Sequence, residues 1–157
     1  MSKEAPDPVD RIMAVMERAF DPQFGEAWNR RQVSDALLLG NCNFGLIGVD
    51  GQDVSDSPTE KTAGFYLSKT VFDEEELLLF AIDPEHRRKG LGHILLNQMI
   101  ASAKNRSVSR VFLEMRSGNP AGLLYTAHGF RAVGIRPKYY RTPDGDRLDA
   151  ISHALSI

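Results

Sequence analysis

The stretch from Leu77 to Met115 leaves few folds open. An apolar run, Leu77 to Ile82, stops at Asp83-Pro84. A basic, glycine-bearing turn follows, Arg87-Arg88-Lys89-Gly90-Leu91-Gly92. Gly90 to Asn105 then carries Leu91, Ile94, Leu95, Met99, Ile100 and Ala103, a helix with one buried stripe. Val111 to Met115 is a second short apolar run. Strand, crossover helix and strand predict a parallel pair. The class is therefore α/β with a mixed sheet.

The flanks supply the rest. Val9 to Phe20 has helical spacing after a Pro-Asp-Pro start and is stopped by Asp21-Pro22. Trp28 to Leu39 predicts a second helix, closed by Gly40-Asn41. Phe44 to Val49 is a short strand, and Asp50 to Glu60 a turn or mobile loop. Thr62 to Val71 predicts a strand that forms a hairpin with Leu77 to Ile82 around Asp73-Glu74-Glu75-Glu76. That acidic run either attracts a basic peptide or is a solvated turn that discourages edge aggregation, and the second is expected. Pro120 to His128 predicts a short helix closed by Gly129. Phe130 to Ile135 and Leu148 to Leu155 are strands, with Pro137 to Arg147 joining them. With 157 residues the chain is expected to be one domain spanning 1–157, with residues 1–8 flexible.

Several function classes are disfavoured. Net charge is −2, so no global field draws nucleic acid or an anionic membrane. No run approaches a membrane span, and Met1 to Pro8 lacks the order of a signal peptide. The lone Cys42 allows no internal disulfide and points to the cytoplasm, and a structural thiol is expected there. His86, His93, His128 and His153 show no ligand spacing, so no metal is expected.

On such a chain an anionic ligand needs a local device, and the turn at Arg87 to Gly92 provides one. The first N–H groups of a helix have no internal partner, and the helix dipole favours negative charge there. Gly90 and Gly92 would let a pyrophosphate approach the backbone. The same residues could equally be a solvated loop. The turn is neither a P-loop nor a dinucleotide fingerprint.

Read from Phe80 to Gly92, with Ile82-Asp83-Pro84 before the Arg-x-x-Gly-x-Gly turn, the chain resembles the GNAT acetyltransferase superfamily. Leu124-Tyr125-Thr126-Ala127-His128-Gly129-Phe130 matches a second motif of that family. Leu113-Glu114-Met115-Arg116, Asn119, Lys138-Tyr139-Tyr140, Pro143-Asp144-Gly145 and Asp149-Ala150 are similar to the bacterial ribosomal-protein-alanine N-acetyltransferases (RimI-like). The likeness runs from about Leu77 to Leu155. The interval from Asn119 to Tyr125 is one residue shorter than the family pattern, and the first strand common in the superfamily is missing.

The resemblance implies a GNAT-like acyl-CoA N-acyltransferase fold, acetyl-CoA as co-substrate and direct transfer to an amine. Phe80, Ala81 and Ile82 would hold the pantetheine arm and acetyl group through main-chain atoms. Arg87, Arg88, Lys89, Gly90, Leu91, Gly92 and His93 would wrap the pyrophosphate, and Asn119 would also contact the cofactor. Glu114 would be the general base and Tyr125 the general acid. Without the family, Glu114 in an apolar strand reads as solvent-facing or Arg-paired, and Tyr125 as core or rim. Tyr139 and Tyr140 would line a peptide entry, or else form an aromatic plug. The implied acceptor is a protein N-terminus, such as that of a ribosomal protein. A small amine, a lysine side chain and a non-catalytic acetyl-CoA module are the alternatives.

Overall fold

The structure is a computed structural model, and it describes residues 7–21, 25–57 and 59–157. Of the segment expected to be flexible, residues 1–6 lie outside that range; Asp7 and Pro8 are part of a helix start. Helix α1, Pro8–Ala19, opens with the Asp7 carboxylate accepting from Val9 N at 2.9 Å. Helix α2, Arg30–Leu38, begins later than expected, because Asn29 and Gln32 form a reciprocal capping box there. Strands β1 (Cys42–Gly48) and β2 (Thr62–Val71) follow. Next come β3 (Glu74–Ile82), a 3₁₀ turn at Pro84–His86, α3 (Leu91–Asn105) and β4 (Arg110–Arg116). Helix α4 (Ala121–Ala127), β5 (Arg131–Arg141) and β6 (Arg147–Ser156) complete the order.

The strands form one mixed sheet, β1-β2-β3-β4-β6-β5, in which only β3 and β4 are parallel. Apolar side chains cover both faces. Leu91, Leu95, Leu96 and Met99 of α3 pack on one face with Val111, Leu113 and Met115. Ile12, Val15 and Met16 of α1 and Val33 of α2 pack on the other with Phe65, Leu67 and Leu79.

Two expectations need correction and one is narrowed. The acidic run is not a solvated turn. The turn is at Phe72-Asp73, with Phe72 at φ 55°, and Glu74, Glu75 and Glu76 belong to β3. Glu75 is fully buried; its carboxylate accepts from the Arg106 guanidinium and from Thr70 Oγ1. A strand takes such a residue inside when a cation and a hydroxyl meet it. The loop after β1 is also held, because the buried Arg11 donates to Val54 O, Glu60 O and Thr62 Oγ1 at 2.8 to 2.9 Å. Finally, Pro137 to Arg141 is strand, not connection. A register shift between Arg136 and Tyr140 absorbs the proline, and Lys138, at φ 54°, donates its N–H to Asp149 Oδ1.

Two irregularities open the sheet at its centre. In the β2–β3 ladder Leu67 pairs with Leu79 and Ser68 with Leu77, so Leu78 is an extra residue. A bulge re-aims the strand beyond it. Leu77 therefore joins the α3 core, while Leu79 and Ala81 join the α1 core. In addition, β3 and β4 pair only through Glu74–Arg110, Glu75–Val111 and Glu76–Phe112. Ion pairs Glu75–Arg106 and Glu74–Arg110 pin that closed end. Toward Ile82 and Arg116 the two strands are unpaired with each other, and a wedge opens between them.

Candidate active site

The wedge is the mouth of a cavity of about 1040 Å³. Leu77 to Ile82 line one side and Leu113 to Arg116 the other. The sheet-inner edge of β3 therefore offers main-chain N–H and C=O groups that no β4 partner takes. Phe80, Ala81 and Ile82 lie on this open edge.

At one end of the cavity stands the glycine turn. Gly90 is the N-cap of α3 at φ 78°, and no side chain caps the helix. Arg88 is also left-handed, at φ 64°. Such a backbone gathers successive N–H groups into an anion-binding concavity, and the uncapped donors of a 15-residue helix add to it. These features fit a pyrophosphate. Arg87, Arg88, Gly90, Leu91, Gly92 and His93 line the cavity; Lys89 does not. At Gly92 the first turn of α3 comes close to α4, where a Cβ would meet the Leu124 side chain in ordinary van der Waals contact at 3.4 Å. His93 stacks on His128 with Nδ1 and Nε2 2.9 Å apart, tying the first turn of α3 to the end of α4.

Asn119 also lines the cavity, and its Oδ1 accepts from Ala121 N at 3.0 Å, which starts α4. Tyr125 follows on α4. It is buried between Phe80 and Phe130, both edge-on. Burial pushes its phenol pKa up, and the charge of Glu26 adds to this. The hydroxyl thus stays protonated throughout the neutral range, as a proton donor needs.

Glu114 leaves β4 on the face opposite Leu113 and Met115. Its carboxylate lies 3.3 Å from Arg136 Nε, and the arginine is largely exposed while Glu114 is not. Glu114 is therefore paired with an arginine, and it also lines the cavity. Glu76, on the same face, has its carboxyl pKa raised by burial and further by Glu114. Tyr139 and Tyr140 part company. Tyr140 lines the cavity, and burial, with Glu114 and Glu26 nearby, raises its phenol pKa. Tyr139 is exposed, with Arg136 5.1 Å over its ring.

Three contributors carry no local sequence signal. Glu26, between α1 and α2, bonds Arg116 Nε at 3.1 Å and lines the cavity beside Trp28. Its position comes wholly from the fold. His86 lines the cavity with both ring nitrogens buried and bonded to none of the described residues. Arg136 is the third, reaching Glu114 on β4 from β5, across the intervening β6. Among the described residues, no three His, Cys, Asp or Glu side chains are grouped to hold a metal ion. Burial raises the Cys42 pKa, which leaves it a poor nucleophile. No helix of the described residues is long and apolar enough to cross a membrane.

Comparison with known proteins agrees with this fold. The model of the acetyltransferase (GNAT) family matches residues 13–130. The [ribosomal protein bS18]-alanine N-acetyltransferase of Salmonella typhimurium is 39% identical over 133 residues, 83% of this chain and 89% of that protein. The Escherichia coli enzyme of the same name is 43% identical over 98 residues, 62% of this chain, and the matched stretch spans just under two thirds of that enzyme, 66%. The crystal structure of the Escherichia coli ribosomal-protein-S18-alanine N-acetyltransferase superposes with a TM-score of 0.78 at 29% identity, covering 98% of this chain and 92% of that one.

Proposed function

This chain belongs to the acetyltransferase (GNAT) family, and from that membership we propose that it moves the acetyl group of acetyl-CoA onto the α-amino group of a protein N-terminus, with a ribosomal protein as target. The observation that carries the proposal is the parting of β3 from β4, which sets an uncapped helix N-terminus and an acidic, tyrosine-bearing wall around one cavity.

Bound acetyl-CoA would supply the activated thioester. Around it, the turn from Arg87 to Gly92 binds phosphate through backbone N–H groups. The open edge of β3 positions the acetyl group and offers donors to a developing oxyanion. Glu114 takes the proton from the incoming ammonium, directly or through water, and exchanges Arg136 for it. As the free amine bonds to the acetyl carbon and the C–S bond breaks, Tyr125 gives its proton to the departing sulfur, and the second proton released by the amine restores the phenol. Tyr140, beside Glu114 and Glu26, lines the way in for the peptide. The target rests on the names of the relatives.

A peptide panel tests the proposal. Peptides that differ in their first residue, each with a free and a blocked N-terminus, are incubated with acetyl-CoA and followed by mass spectrometry. Acetylation only of free N-termini is expected, with preference for a small first residue such as alanine. Modification of lysine in blocked peptides, or turnover of polyamines alone, would refute it. Acetyl-CoA binding without any turnover would point to a non-catalytic module.

A further inference from the structure

Arg87 is the first basic residue of the phosphate-binding turn, yet its side chain is committed elsewhere. Nε donates to Ile82 O at 3.2 Å, and Nη2 donates to Ala19 O at 2.9 Å. Ala19 is the last residue of α1, so its carbonyl is one of those a helix leaves unpaired, and a cation is favoured there. Arg18, beside it, reaches the other way. Its guanidinium meets Glu85 at 2.8 Å and the buried Asp83 at 3.4 Å. Two arginines thus cross between the end of α1 and the segment joining β3 to the turn.

Described residues beyond this crossing line the cavity on the side read as the acceptor wall. Phe20, Gly25, Glu26 and Trp28 line the cavity, and Glu26 is bonded to Arg116, two residues beyond Glu114. The wall is therefore anchored twice: on the cofactor turn through Arg87, and on the catalytic strand through Arg116. Among the described residues no other side chain of the turn bonds α1.

We propose that the Arg87 side chain is a positioning residue for the acceptor, fixing the acceptor wall to the cofactor turn, and that it is not a phosphate ligand. This rests on the reading of the cavity as a site for acetyl-CoA and an amine. A turn stiffened by its phosphates holds Arg87, Arg87 holds the end of α1, and the acceptor wall is complete once the donor is seated.

Two-substrate initial rates with acetyl-CoA and an unblocked peptide, together with calorimetric acetyl-CoA binding, test it. For Arg87→Ala, the peptide KM should rise about tenfold while the acetyl-CoA Kd stays within about twofold, the signature of lost acceptor binding alone. Arg87→Lys keeps one donor for Ala19 O and should recover part of the loss. Arg18→Ala removes the second crossing and should move the peptide KM in the same direction. Weaker acetyl-CoA binding with an unmoved peptide KM would make Arg87 a phosphate ligand and overturn the proposal. So would equal losses for both substrates. Wild-type peptide turnover with an unmoved peptide KM in all three variants would overturn the clamp and leave the function standing. No wild-type turnover of any amine would overturn both.

Discussion

The Glu26 carboxylate sits 3.1 Å from Arg116 Nε, so a residue of the α1–α2 connection is bonded to the end of the strand that carries Glu114. Both side chains are largely buried, which makes the bond less sensitive to screening than a surface pair. It joins the Glu26 side of the cavity to the end of β4.

Replacing Glu26 by Gln keeps the shape and removes the charge. The expected result is a fall in kcat/KM for peptide of about tenfold, the scale of one lost charge-assisted bond. Acetyl-CoA affinity should be unchanged. Steady-state kinetics and calorimetry check both halves.

Tyr125→Phe removes the phenol while keeping its contacts with Phe80 and Phe130. A fall in kcat of about a hundredfold is expected, typical of a lost general acid, with acetyl-CoA binding retained. Unchanged turnover would remove Tyr125 from the mechanism.

Tyrosine titration provides a test by pH. Tyr66, Tyr125 and Tyr140 all have raised phenol pKa values, chiefly through burial. In the folded state their protons are held above the unfolded value of about 10. Their contribution to stability is full below that pH and is lost as pH rises through the folded values. Ultraviolet difference spectra should show these three ionising above pH about 10, later than a free tyrosine.

Gly90→Ala tests the turn. Space is open around a Cβ there, so the cost comes from φ 78° alone. A left-handed alanine costs roughly 1 to 2 kcal/mol, and relief of that strain would turn the N–H groups away from phosphate. Acetyl-CoA binding should weaken about tenfold by calorimetry, given 1.4 kcal/mol per decade as the approximate scale.

Arg106→Ala leaves Glu75 buried without its cation at the closed end of the wedge. A loss of about 3 kcal/mol is expected from such an orphaned charge. Thermal unfolding should show a Tm lower by roughly 6 to 12 °C. A wild-type Tm would show that Thr70 and Asn43 suffice to hold Glu75.

Local sequence determined the elements that depend on near neighbours. The β3–α3–β4 crossover followed from apolar spacing, and the uncapped helix start at Gly90 followed from a glycine turn after a strand. Tyr125 and Glu114 were legible because a family motif surrounds each of them. Glu75 was misjudged because its burial depends on Arg106, a cation 31 residues further along the chain. Tyr139 and Tyr140 looked alike as neighbours, and only the bulged strand β5 sends one into the cavity and leaves the other outside. Tertiary structure alone brought Glu26 to Arg116, 90 residues away, and carried Arg87 to Ala19, 68 residues away. Sequence periodicity reports which face of an element is buried. It cannot report which distant polar group meets it there, because that pairing exists only once the sheet has assembled.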